Sequence, residues 1–164
     1  MAEVTLGGNP VHTSGELPSV GSASPAYTLT GSDLGDISSS DYDGKNVVLN
    51  IFPSVDTPTC ATSVRTFNER AAGLDDTIVL CVSADLPFAQ GRFCGAEGIE
   101  NVTTASTFRS GFGVDFGVDL VDGPLAGVLA RAVVVVGADG TVKHTELVSE
   151  IAQEPDYDAA LSAI

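Results

Sequence analysis

The sequence predicts a single α/β domain over residues 1–164, a three-layer sandwich around a mixed central sheet, and two observations carry that prediction. First, three runs rich in β-branched residues, "NVVLNIF" (46–52), "TIVLCVSA" (77–84) and "RAVVVVG" (131–137), show the near-continuous apolarity of strands covered on both faces. Second, a helical pattern lies between the first two runs, with Cys60, Val64, Phe67, Ala71 and Leu74 on one face. Strand, helix and strand joined by short loops imply a right-handed crossover and a parallel pair.

The remaining elements follow in chain order. "EVTLGGNPVHTSG" reads as an N-terminal β-hairpin, with Val4 and Leu6 alternating before a Gly-Gly-Asn-Pro turn. Residues 14–25, rich in Gly, Ser and Pro, form a surface connection, and "AYTLTGSDLGDISSSDYDG" holds two short strands around a polar turn. Gly73 is placed to end the helix that begins near Pro58. "LPFAQGRFCG" reads as a second helix, with Pro87 near its start and Gly95 as its stop. "TVKHTELV" (141–148) alternates more and suits an outer strand paired with 131–137 through the "GADG" turn. "PDYDAALSAI" is a C-terminal helix capped at Asp156.

Composition excludes several function classes. Seven Lys plus Arg stand against 22 Asp plus Glu, a net charge of −15. Such a field repels phosphates, so neither nucleic acid nor an anionic membrane is an expected partner. The same acid-rich, lysine-poor surface fits a salt-adapted host or plain solubility. No apolar run of membrane-spanning length occurs, and the start "MAEVTLGGNPV" lacks a basic head before an apolar stretch, so the expected location is the cytoplasm. Three cysteines, Cys60, Cys81 and Cys94, are too few to staple a secreted domain. With two histidines and no CxxC or HxxxH spacing, no metal site is expected, and no P-loop, GxGxxG or GxSxG motif points to a cofactor or a serine nucleophile.

The turn "SVDTPTC" carries the chemistry. Thr57 is a suitable N-cap and Pro58 a suitable first helical residue, which makes Cys60 the third. Its sulfur would lie near free backbone N–H groups, at the carboxyl edge of a parallel sheet where open α/β folds place their crevice. A thiolate is the nucleophile, and an ordinary cysteine is only about 3% ionised at neutral pH. Burial beside Val64 and Phe67 opposes ionisation, so a reactive thiol here needs a nearby cation. From these residues alone, a reactive thiol and a small buried core cysteine both stand.

"PSVDTPTC" matches the peroxiredoxin signature Pro-x-x-x-Thr-x-x-Cys at Pro53, Thr57 and Cys60. With "LCVSADLPFAQGRFC", "STFRSGFGVDFGV", "DGPLAGVLARAVVVV" and "EPDYDAAL", nearly the whole chain resembles the bacterial thiol peroxidase subfamily, the atypical two-cysteine peroxiredoxins. The resemblance implies a thioredoxin-like fold and reduction of hydrogen peroxide and organic hydroperoxides. By matched position it makes Cys60 the peroxidatic nucleophile and Cys94 the resolving cysteine. Thr57 becomes a hydrogen-bonding partner of thiolate and peroxide, and Arg131 the stabiliser of thiolate and transition state. It also implies an intramolecular Cys60–Cys94 disulfide, thioredoxin as reductant and a homodimer. Gly91 costs the Cys94 helix about 1 kcal/mol relative to alanine, which makes the melting such a step requires cheap. Cys81, inside a strand run, is core and carries no chemistry, and His12 and His144 are surface or strand residues. The alternative from another class is a redox sensor or holdase that uses the same disulfide without turnover. A thioredoxin or disulfide isomerase is disfavoured, because no CxxC follows the first strand.

Overall fold

Alternation along the central strands gives the sheet two apolar faces, and both are covered. A computed structural model describes residues 1–164. An N-terminal hairpin, β1 (Glu3–Leu6) and β2 (Asn9–His12), precedes the main sheet of β3 (Thr28–Thr30), β4 (Asp36–Ser38), β5 (Asn46–Ile51), β6 (Thr77–Ser83), β7 (Thr103–Ser106), β8 (Ala132–Val136) and β9 (Val142–Leu147). The spatial order is β4-β3-β7-β6-β5-β8-β9. β5, β6 and β7 run parallel, in register Ile51 to Val82 and Val82 to Ala105, and the outer pairs are antiparallel. The sheet is therefore mixed, as expected.

Helices α1 (Pro58–Ala71), α2 (Pro87–Glu97) and α4 (Tyr157–Leu161) share one face. There Val64, Phe67, Phe93 and Ala160 pack on Val48, Phe52, Val79, Val133 and Val135. Phe67 is fully buried, worth about 2–3 kcal/mol relative to exposure. On the other face Val47, Leu49, Ile51, Leu80, Val82 and Val134 meet Tyr27, Phe112, Phe116, Val118 and Leu129. That third layer is thin: the single turn α3 (Phe112–Asp115) and the irregular chain around it. The hairpin has its own small core, in which Val4 and Val11 pack with Leu120, Ala130 and Ile151.

Several boundaries differ from expectation. The hairpin turns on Gly7 and Gly8 alone, both at positive φ (58° and 83°), as a tight two-residue turn requires, so Asn9 and Pro10 belong to β2. α1 ends at Ala71, which leaves Leu74 outside it. α2 continues through Gly95 to Glu97 and stops at Gly98, whose left-handed backbone closes the helix. β7, "TTAS", has no apolar run and is buried by its neighbours rather than by its own hydrophobicity. No helix is long and apolar enough to cross a membrane.

Candidate active site

β5 delivers the chain to the carboxyl edge of the sheet, where Pro53–Thr57 turn it into α1. Asp85, just beyond β6, holds that turn: its carboxylate accepts from the Ser54 hydroxyl (2.7 Å), the Val55 N–H (2.9 Å) and the Ser83 hydroxyl (2.7 Å). Thr57 occupies the N-cap position with extended backbone (φ −100°, ψ 144°), but its side chain does not cap the helix. The hydroxyl turns back and donates to the Ser54 carbonyl (2.9 Å), so the capping bond expected from the sequence is absent. Pro58 follows as the first helical residue and Cys60 as the third.

Cys60 is fully buried. Its sulfur receives a hydrogen bond from Arg131 Nη2 at 3.2 Å. Arg131 immediately precedes β8 and is 1% exposed, an unusual burial for a guanidinium. Its Nε donates to the Ile151 carbonyl at 2.7 Å, and its Nη1 is buried without a partner. No carboxylate pairs with it, since the chain's ion pairs all involve other groups. A buried cation without an anion is costly by several kcal/mol, and the Cys60 sulfur is the one side-chain atom the guanidinium touches. Thr59, beside Cys60, donates to the Ala152 carbonyl at 2.9 Å.

The other two thiols lie elsewhere, and all three cysteines are free. Cys81 is fully buried in β6, accepts a long hydrogen bond from Asn50, and burial pushes its thiol up to about 12. Cys94 sits on α2, partly buried, with its sulfur 3.9 Å from the Thr104 hydroxyl of β7. Burial raises its pKa and the Thr104 contact opposes the rise. The Cys60 turn is tied through Ser63 to Asn50 of β5, and Cys94 faces Thr104 of β7, two strand spacings away in the order β7-β6-β5. At about 4.8 Å per spacing the two sites stand on the order of 10 Å apart across the sheet. The structure thus brings Cys60, Thr57 and Arg131 to one place and leaves Cys94 at a distance. A cleft of about 560 Å³ along β3 and β4, lined by Tyr27, Ser38 and Arg109, holds none of the thiols.

Sequence reasoning missed Asp85 and the Ile151 carbonyl. An acidic residue just after a central strand, in "VSADLP", is the signal that could have found the first. A backbone acceptor leaves no signal in residue identity.

A mixed sheet with a buried thiol in the first turn of its crossover helix, and a guanidinium against that thiol, defines a thioredoxin-like domain built around a thiol–guanidinium pair. The Redoxin family model matches residues 19–161. Thiol peroxidases of Mycobacterium tuberculosis and Corynebacterium glutamicum are 69% and 59% identical over 164 residues, covering 100% of this chain and 99% of each relative. Among solved structures, a peroxiredoxin-like protein from Aquifex aeolicus superposes with a TM-score of 0.94 at 39% identity, covering 100% of this chain and 98% of its own. The thiol peroxidase from Chromobacterium violaceum shares the fold (TM-score 0.90, 20% identity, 98% and 93% covered). The chain belongs to the redoxin family and groups with its thiol peroxidases.

Proposed function

We propose that this thiol-dependent peroxidase reduces hydrogen peroxide and organic hydroperoxides through Cys60, with Cys94 as resolving thiol and thioredoxin as reductant. The observation that carries the reading is the 3.2 Å contact between Arg131 Nη2 and the buried Cys60 sulfur in the first turn of α1. The Cys60 thiolate attacks the terminal peroxide oxygen. The O–O bond breaks with its electron pair leaving on the distal oxygen, which takes a proton and departs as alcohol or water. Cys60 is left as a sulfenic acid. Arg131 Nη1, a buried donor with no partner, is available to the peroxide oxygens as charge shifts onto the leaving group. The Thr57 hydroxyl donates to the Ser54 carbonyl, so its free lone pairs can accept a hydrogen bond from the peroxide O–H.

The Cys94 thiol then displaces the sulfenic hydroxyl as water, forming an S–S bond, and a dithiol protein reopens the disulfide by exchange. A disulfide needs Cα atoms within about 7 Å, so α2 or the first turn of α1 must unwind for the pair to meet. Turnover with a reductant separates this enzyme from a sensor that only accumulates disulfide. Loss of peroxide-dependent turnover in Cys60→Ser and Arg131→Ala is expected with thioredoxin and its reductase supplied. Full turnover in either variant would end the assignment.

Two features support the assembly and location. Leu86, Phe88 and Phe108 are 43–70% exposed and follow β6 and β7 at the carboxyl edge of the sheet, large apolar side chains suited to a second copy of the chain. Sedimentation should give a homodimer that Phe88→Glu weakens, and a monomeric parent would refute this. Three free thiols suit a reducing cytoplasm.

A further inference from the structure

We propose that Glu150 is a positioning residue for the reaction: its carboxylate clamps the Ser149–Ala152 strap on which the Arg131 guanidinium and the Thr59 hydroxyl rest. The inference rests on the role proposed above for Arg131. Both oxygens of Glu150 are saturated by the N-terminal hairpin and by the strap itself. Oε1 accepts from Gly8 N–H (2.8 Å) and the Thr5 hydroxyl (3.0 Å), and Oε2 from Gly7 N–H (3.2 Å) and Ala152 N–H (3.0 Å). The backbone adds a short ladder in which Thr5 N–H donates to Ser149 (2.7 Å) and Ile151 N–H to Thr5 (2.9 Å). The Ile151 side chain is buried under Val4 and Val11. On its inner side the same strap offers the Ile151 carbonyl to Arg131 Nε and the Ala152 carbonyl to Thr59.

Arg131 has no other protein tether for its guanidinium besides the sulfur it serves. Movement of the strap therefore moves the donor relative to the reacting sulfur. A misplacement of about 1 Å can cost on the order of 100-fold in rate, so a partial release should cost about tenfold. The hairpin, remote from every cysteine in sequence, thus acts as a buttress of the site.

The test uses Glu150→Gln, which turns an amide NH₂ toward the Gly7 and Ala152 N–H donors, and the milder Thr5→Val, which removes one donor. Three quantities are read: the single-turnover rate of Cys60 oxidation by cumene hydroperoxide, the pH profile of Cys60 alkylation by iodoacetamide, and the melting temperature. Arg131 is the ionisable side chain in contact with the sulfur, and Tyr157 of α4 lies close enough to feel its charge. Glu150→Gln should slow oxidation about tenfold and move the alkylation profile to higher pH in folded protein. Thr5→Val should move both less, in the same direction. A lowered melting temperature with unchanged rate and profile overturns the proposal, since a purely structural clamp would give that result. If Glu150→Gln does not fold, Thr5→Val decides by the same criterion. Arg131→Lys is run alongside: if it leaves rate and profile unchanged, the role of Arg131 itself fails. If it moves them while the Glu150 and Thr5 variants do not, only the positioning role fails.

Discussion

Alanine in place of the two interior glycines of α2 should slow disulfide formation without touching peroxide attack. An ideal Cβ added at Gly91 or at Gly95 meets no atom within 4 Å, so neither substitution creates a clash. Each replacement favours the helix by about 1 kcal/mol, less toward the C-terminal end where Gly95 lies. A total of about 1–2 kcal/mol lowers the population of melted helix roughly 5- to 30-fold. Cys60 and Cys94 are too far apart to bond while α1 and α2 are intact, so that factor passes directly to the resolving step if α2 is the element that melts. The assay is rapid quench after one equivalent of cumene hydroperoxide, followed by non-reducing peptide mapping. Loss of Cys60 thiol should match the parent, and the Cys60–Cys94 disulfide should appear 5- to 30-fold later in Gly91→Ala/Gly95→Ala. Excess peroxide should then carry more Cys60 to the sulfinic acid, because the sulfenic acid waits longer for its partner. Disulfide formation at the parental rate, in protein whose α2 amides exchange more slowly, would refute the melting of α2 as the gate.

Three other outcomes follow from the same geometry. Arg131→Lys keeps a charge but cannot hold the Ile151 carbonyl and the Cys60 sulfur with one planar fork, and single-turnover oxidation should fall roughly 10²-fold; a loss below about threefold would contradict the role. Cys81, buried and pushed up to about 12, should resist iodoacetamide in native protein at pH 8, and its labelling alongside Cys60 would show that the β6 core opens. The Glu150 carboxylate is held down at about 2, first by the Ala152 and Gly8 N–H groups, against an ordinary 4.5. A folded value below the unfolded one means stability that is complete above 4.5 and lost as the pH falls toward 2. The melting-temperature gap between parent and Glu150→Gln should therefore be constant above pH 4.5 and close on acidification, and a gap independent of pH down to 2 would contradict it.

What was legible in the sequence is what local chemistry dictates. β5, β6 and β8 are apolar on both faces and read as buried strands from residue type alone. Pro58 and Cys60 occupy their helical positions because proline starts a helix where a missing N–H costs nothing. β7 escaped because "TTAS" is buried by the strands and helix around it, not by its own composition. The extent of α2 was misjudged because Gly95 lies within the helix while the left-handed stop falls at Gly98, and one glycine looks like another without its backbone angles. The Thr57 hydroxyl chose the Ser54 carbonyl over the helix N–H groups, a competition between two nearby acceptor and donor sets that residue identity does not resolve. The Asp85 bracket and the Glu150 strap join residues 30 and more positions apart, so they exist only once the sheet has formed.

The most direct test of the central account is non-reducing peptide mapping of the intact chain after one equivalent of cumene hydroperoxide. The account predicts a single Cys60–Cys94 linkage within one chain, with Cys81 still a free thiol. Cys60 left unmodified, or a linkage through Cys81, would contradict it.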